Sequence, residues 1–139
     1  TALLNWCKQR NDVSGIATPV INGKRYFLNI ATTDTFKMEA DETETNILNI
    51  GRFTFSQAAF DTANAILQQP LKSQYVIVDE IGPLELQQKG LYQSVIFLLK
   101  ENTTNVLFVV REKLVDTVIE FFKLQQVTIL TINDLQQLD

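Results

Sequence analysis

The chain has 139 residues, 45% of them hydrophobic and 20% charged, with a net charge of −4. This is one domain's length with enough apolar content for a real core, and no apolar run approaches a bilayer span. The single cysteine, Cys7, excludes an internal disulfide framework, and the lack of histidine excludes His-based zinc sites and Ser-His or Cys-His pairs. An acidic balance without a basic cluster gives no nucleic-acid signal, and no signal-peptide pattern opens the chain, so a cytoplasmic protein is expected.

Residues 1–8 have a helical rhythm, with Leu3, Leu4 and Cys7 on one side and no entering strand or cap before Thr1. They read either as a helix met after its start or as an ordinary first helix. Ser14-Gly15 reads as a turn, and residues 16–21 as a short strand broken by Pro19. Asn22-Gly23 is a tight-turn signal, so residues 16–21 and 25–31 are expected to form a hairpin, with 35–39 as a third antiparallel strand. Residues 41–45 read as a polar loop before the apolar piece 47–51. The whole stretch 16–50 is expected as a meander on the edge of a sheet.

From Thr54 the pattern turns helical. Thr54 with Gln57 reads as a capping box, Phe60, Ala63 and Leu67 share a face, and Pro70 stops the helix. Strand 74–79 follows, then Pro83 opening a helical turn, then a helix striped by Leu91, Val95, Leu98 and Leu99. Residues 106–110 read as an all-apolar strand ending in Arg111. Leu114, Val118 and Phe122 stripe the next helix, residues 127–132 read as a last strand, and Asn133 as the cap of a short terminal helix. The portion 54–139 is therefore β-α-β-α-β-α, which predicts an α/β domain: a mostly parallel sheet with helices on both faces.

The run Tyr75-Val76-Ile77-Val78-Asp79-Glu80-Ile81-Gly82-Pro83 carries the chemistry. Its apolar part fits a strand covered on both faces, and two adjacent acids at the end of such a strand need a cation, a donor or a polarised water. Open α/β sheets hold ligands beyond the carboxyl ends of their strands. Asp then Glu suits nucleotide hydrolysis, with Asp79 holding Mg²⁺ and Glu80 orienting or deprotonating water. The competing reading is a strand running into an acidic surface turn. Arg111 ends its strand at the same edge and suits phosphate contact, or a local ion pair with Glu112 or Asp116. Glu85 reads as a carboxylate supporting Mg²⁺-bound water or as a solvated turn residue. Lys24 and Arg25 read as solvent-exposed neighbours of a tight turn, with nucleotide contact as the second reading.

The extended string Val76-Ile77-Val78-Asp79-Glu80-Ile81-Gly82-Pro83-Leu84-Glu85-Leu86 resembles the Walker B segment of the P-loop nucleoside-triphosphatase family first described in hyperthermophilic bacteria and archaea. The similarity continues through the 15–31 region, Ile50-Gly51, Val109-Val110-Arg111 and the segment ending at Asn133. It implies one RecA-like domain over 1–139, hydrolysing ATP, GTP and other nucleoside triphosphates with Mg²⁺ and broad base tolerance. It implies Asp79 at the metal, Glu80 as the water-activating acid, Glu85 and Arg111 as active-site support, and Thr1 and Asn133 on the nucleotide side. The family's Gly-Lys-Thr/Ser phosphate loop is not found in the 139 residues. Gly23-Lys24 has the wrong context, so a strand and that loop are expected ahead of Thr1. A nucleotide or small-molecule kinase on the same scaffold, and a nucleotide-binding interaction domain with little turnover, are the alternatives. The physiological nucleotide and the oligomeric state are left open by the sequence.

Overall fold

The computed structural model describes residues 1–69, 73–102 and 104–138. Helix α1 (Ala2–Lys8) leads into β1 (Val13–Ala17), followed by β2 (Val20–Ile21), β3 (Lys24–Asn29) and β4 (Thr35–Lys37). A separate hairpin, β5 (Ile47–Ile50) and β6 (Phe53–Ser56), precedes α2 (Gln57–Leu67) and the strand β7 (Tyr75–Ile81). Then come α3 (Pro83–Leu86), α4 (Tyr92–Glu101), β8 (Asn105–Val110), a 3₁₀ turn at Glu112–Leu114, α5 (Val115–Phe121) and a 3₁₀ helix at Ile132–Gln137.

The main sheet runs β2-β3-β1-β7-β8, with β4 paired to β3. β1, β7 and β8 are mutually parallel, and β3 is antiparallel to β1. β7 therefore lies between parallel neighbours, and its alternate side chains feed two cores. Val76 and Val78 join Phe27, Phe60, Leu67, Val95 and Val118 on the face covered by α2, α4 and α5. Tyr75 and Ile77 join Trp6, Cys7 and Val13 on the other face, under α1 and the terminal 3₁₀ helix through Leu135 and Leu138. The alternation is the period-two geometry of a strand, and it explains why this run is apolar throughout. No helix among the described residues is long and apolar enough to cross a membrane.

Several sequence expectations are corrected. The strand after α1 begins at Val13, stops at Ala17 before Pro19, and lies inside the sheet rather than on its edge. Its register pairs Gly15 with Ile77. Gly15 has φ +115°, and a Cβ there would fall on the Ile77 backbone, so the Ser14-Gly15 pair serves close strand approach and not a turn. Asn22-Gly23 does make the expected tight turn, with positive φ at both residues, but it joins β3 to the two-residue β2. Thr54 is a strand residue whose hydroxyl donates to Asn49 Oδ1 across the β5–β6 hairpin. The α2 cap is Ser56, whose side chain accepts from Ala59 N at 3.2 Å. Pro70 lies outside the described residues.

β8 ends the sheet among the described strands and is half-buried, although its all-apolar sequence predicts an interior place. Residues 127–132 form no strand; Ile129 is 64% exposed. Strand propensity is realised only by pairing, and this segment pairs with no described strand, although β8 has a free edge. The cap of the terminal 3₁₀ helix is Thr131, reciprocally bonded with Asp134, and Asn133 lies inside it.

Candidate active site at the carboxyl edge of the sheet

Parallel β1, β7 and β8 deliver Thr18, Asp79, Glu80 and Arg111 to one edge because each follows or ends a strand pointing the same way. They line a cleft of about 350 Å³ that also takes in Arg25 from β3 and Gly51, Arg52 and Phe53 from the β5–β6 hairpin. The opposite wall is the turn from Gly82 to Glu85 with Leu91. Phe27, Phe55 and Phe60 give the cleft an apolar floor.

Asp79 is largely buried. Its Oδ2 accepts the Thr18 backbone N–H at 3.2 Å. Burial raises its pKa above the ordinary carboxylate value, as does neighbouring Glu80, while Thr18 and more distant Arg25 oppose the rise. The same carboxylate contributes, after burial, to lifting the buried Cys7 thiol to about 11. Asp79 thus bears an unfavourable negative charge that a cation would relieve. The nearby donors are hard oxygens, and no group of three or more metal-type side chains occurs among the described residues. One or two carboxylates completed by phosphate oxygens is the usual protein share of a Mg²⁺ site, so these residues fit that ion.

Glu80 is half-buried, and its Oε2 lies 3.3 Å from Arg111 Nε. Arg111 therefore pairs with neither Glu112 nor Asp116, the two local partners its sequence offers. Glu80 Oε1 makes no hydrogen bond among the described residues, and Glu80 lines the cleft.

Glu85 is 3% exposed, which removes the solvated-turn reading. Its Oε1 accepts from Gly82 N and its Oε2 from Leu91 N, both at 2.8 Å. Burial raises its pKa to about 7 against the lowering effect of those two N–H groups. Glu85 therefore ties the Gly82-Pro83 turn behind Glu80 to the start of α4. Gly90, at φ +64°, leaves room for this, since a Cβ there would overlap Glu85 Oε2.

Thr1 and Asn133 are not brought into the cleft. Thr1 caps α1 by accepting from Leu4 N at 3.3 Å, and Asn133 is exposed in the terminal 3₁₀ helix. Lys24 is 66% exposed and lies 4.0 Å from Glu39, away from the cleft lining. Arg25, next to it, points the other way along the strand and does line the cleft. Thr18 and Arg52 were not singled out by sequence reasoning. The signal available for Thr18 was its place just beyond a strand, and for Arg52 its place in the tight turn beside Gly51.

A family model described as NTPase matches residues 2–137. The fold is similar to the crystal structure of THEP1 from the hyperthermophile Aquifex aeolicus, at 16% sequence identity and a TM-score of 0.71, over 96% of this chain and 88% of that one. No curated protein matches the chain at the sequence level.

Proposed function

The chain belongs to the NTPase family and has the RecA-like α/β fold of P-loop nucleoside-triphosphatases, and from that premise we propose that it hydrolyses ATP, GTP and other nucleoside triphosphates to the diphosphate and phosphate, with Mg²⁺ and broad base tolerance, in the cytoplasm. The observation that carries this reading is the pair Asp79–Glu80 ending β7 in a cleft that also receives Arg25, Arg52 and Arg111. Two acids of different surroundings and three guanidiniums suit a polyphosphate and a water nucleophile.

In this reading Asp79, anchored by Thr18, holds the metal, directly or through water. Bound Mg²⁺ would supply neutralising charge beside the phosphate oxygens. Glu80 orients the attacking water and takes its proton at Oε1 as the water oxygen bonds to the terminal phosphorus and the bridging P–O bond breaks. Arg111 fixes the Glu80 carboxylate through Oε2 and lies near enough to meet charge developing on the phosphoryl oxygens. Glu85 acts at one remove, holding the turn that carries Glu80. Phe27, Phe55 and Phe60 keep the floor dry, which strengthens every charge interaction above it.

The kinase reading draws on one observation: Arg25 and the β5–β6 hairpin also line the cleft, offering residues that an acceptor would contact. Phosphate release without an acceptor, measured on protein expressed from the complete coding sequence with several nucleoside triphosphates and Mg²⁺, separates the two. Turnover that depends on an added acceptor would displace hydrolysis in favour of transfer, and tight nucleotide binding without either would leave a binding domain.

A further inference from the structure

We propose that Arg25 and Arg52, gathered around Phe53, form a phosphate-binding subsite on the hairpin side of the cleft. The two arginines come from different elements, β3 and the β5–β6 turn, yet their guanidinium carbons lie 5.5 Å and 5.2 Å from the same Phe53 ring centroid. That ring stacks on Phe55, tilted by 10°, and Phe55 is 4% exposed in the core. A half-buried ring braced by buried Phe55 thus has two like charges set against it, which the ring's π-electrons favour and an anion reaching both would favour further.

Neither guanidinium makes an ion pair among the described residues. Glu39, beside Arg25, is otherwise engaged: one oxygen accepts the Arg25 backbone N–H at 2.7 Å and the other lies 4.0 Å from Lys24. Arg111, in the same cleft, is already paired with Glu80. Arg25 and Arg52 therefore bring positive charge without a contact ion pair to an apolar-floored cleft, Arg25 acting on Asp79 only at longer range. Each guanidinium presents five N–H donors in a planar fork, more together than one carboxylate accepts, and the multiple oxygens of a phosphate group are the natural complement.

The phosphate has two sources: the terminal group of the nucleoside triphosphate, or a second phosphorylated compound beside it. The inference rests on the nucleotide reading for the first source and stands without it for the second. Calorimetric titration of the protein from its complete coding sequence with a non-hydrolysable nucleoside triphosphate plus Mg²⁺, with inorganic phosphate and with a nucleoside monophosphate tests both.

Arg52→Ala and Arg25→Ala are each expected to weaken at least one of these ligands about 10-fold or more, the usual size of a lost charge-assisted contact. Arg52→Ala should leave the unfolding midpoint unchanged, since that side chain is exposed. Phe53→Leu should weaken the same ligand and Phe53→Tyr restore it, a rescue that loss of general packing would not give. A loss confined to the triphosphate assigns the subsite to the substrate's own phosphate, and a loss confined to phosphate and monophosphate assigns it to a second compound. Arginine-dependent phosphate binding in a protein that binds no triphosphate supports the subsite while removing the hydrolase reading. Binding of all three ligands within twofold of wild type in both single variants and the double variant overturns the proposal.

Discussion

Arg111 and Glu80 meet across the carboxyl ends of two adjacent parallel strands, Nε 3.3 Å from Oε2, although 31 residues separate them in the chain. β7 and β8 pair in register from Tyr75–Asn105 to Asp79–Val109, and an irregularity at Glu80 then sets Ile81 opposite Val110, so Glu80 and Arg111 leave the two strands side by side. Arg111 is 56% exposed, so the pair adds little to stability, and in the proposed mechanism it orients the acid.

Replacing Arg111 with alanine is accordingly expected to lower phosphate release by about 10-fold or more while shifting stability by no more than about 0.5 kcal/mol. Steady-state hydrolysis and denaturant unfolding of the same preparation check this. An unchanged rate would remove Arg111 from the phosphate role.

Glu80→Gln should slow hydrolysis by about 10²–10⁴-fold, because the amide keeps the shape but takes no proton from water. Binding of the Mg²⁺-nucleotide should stay within a few-fold. Single-turnover phosphate release with parallel nucleotide titration measures both, and near-wild-type turnover would move the base role elsewhere.

For Asp79→Asn the expected pattern differs. Removing the charge at the carboxylate nearest Thr18 N should weaken Mg²⁺-dependent nucleotide binding together with turnover, and leave Mg²⁺-free binding little altered. Titrations with Mg²⁺ and with EDTA distinguish these, and equal loss in both conditions would argue that Asp79 acts only through the fold.

Stability should fall as pH rises from about 4.5 to 7 through the ionisation of Glu85. Its folded pKa is raised to about 7 from an ordinary 4.5, so the folded state holds the proton more tightly than the unfolded chain. This contribution is fully present below the unfolded value and is lost as pH climbs through the folded one, by an amount on the order of 3 kcal/mol. In Glu85→Gln that slope should vanish. Urea unfolding of both proteins across this range is the check, and parallel pH profiles would show that Glu85 does not titrate this way.

Gly15→Ala should cost about 3 kcal/mol or more, since the added methyl meets the Ile77 backbone and φ is +115°. Gly51→Ala, also at positive φ but with open space around it, should cost only about 1 kcal/mol. Chemical denaturation of the two variants compares them directly, and equal losses would mean that backbone conformation alone decides both.

The β7 strand, its acids and the helices after it were legible because their signals are short-range. Four buried apolar residues in a row, an acid pair, Pro83 at a helix start and the stripe from Leu91 to Leu98 are complete within a few residues. The Asn22-Gly23 turn is equally local. These features, read together, determined the α/β class and singled out β7, with Asp79 and Glu80, as the candidate site.

Tertiary structure alone decided what surrounds them. Val13–Ala17 contains Ser14 and Gly15 and lacks the look of an interior strand, yet it is buried throughout because β3 and β7 flank it. Residues 127–132 have strand propensity and form none, because propensity is realised only by pairing. Arg25 and Arg52 are 27 positions apart and share one ring only because a hairpin folds over the sheet's edge. Glu85 reads in sequence as a support for metal-bound water or as a solvated turn acid, and only the fold shows Gly82 and Leu91 closing on its two oxygens. Period, cap and turn are set by neighbours along the chain. Which charge is buried, paired or left unmatched is set by register between distant segments, and register is a property of the assembled sheet.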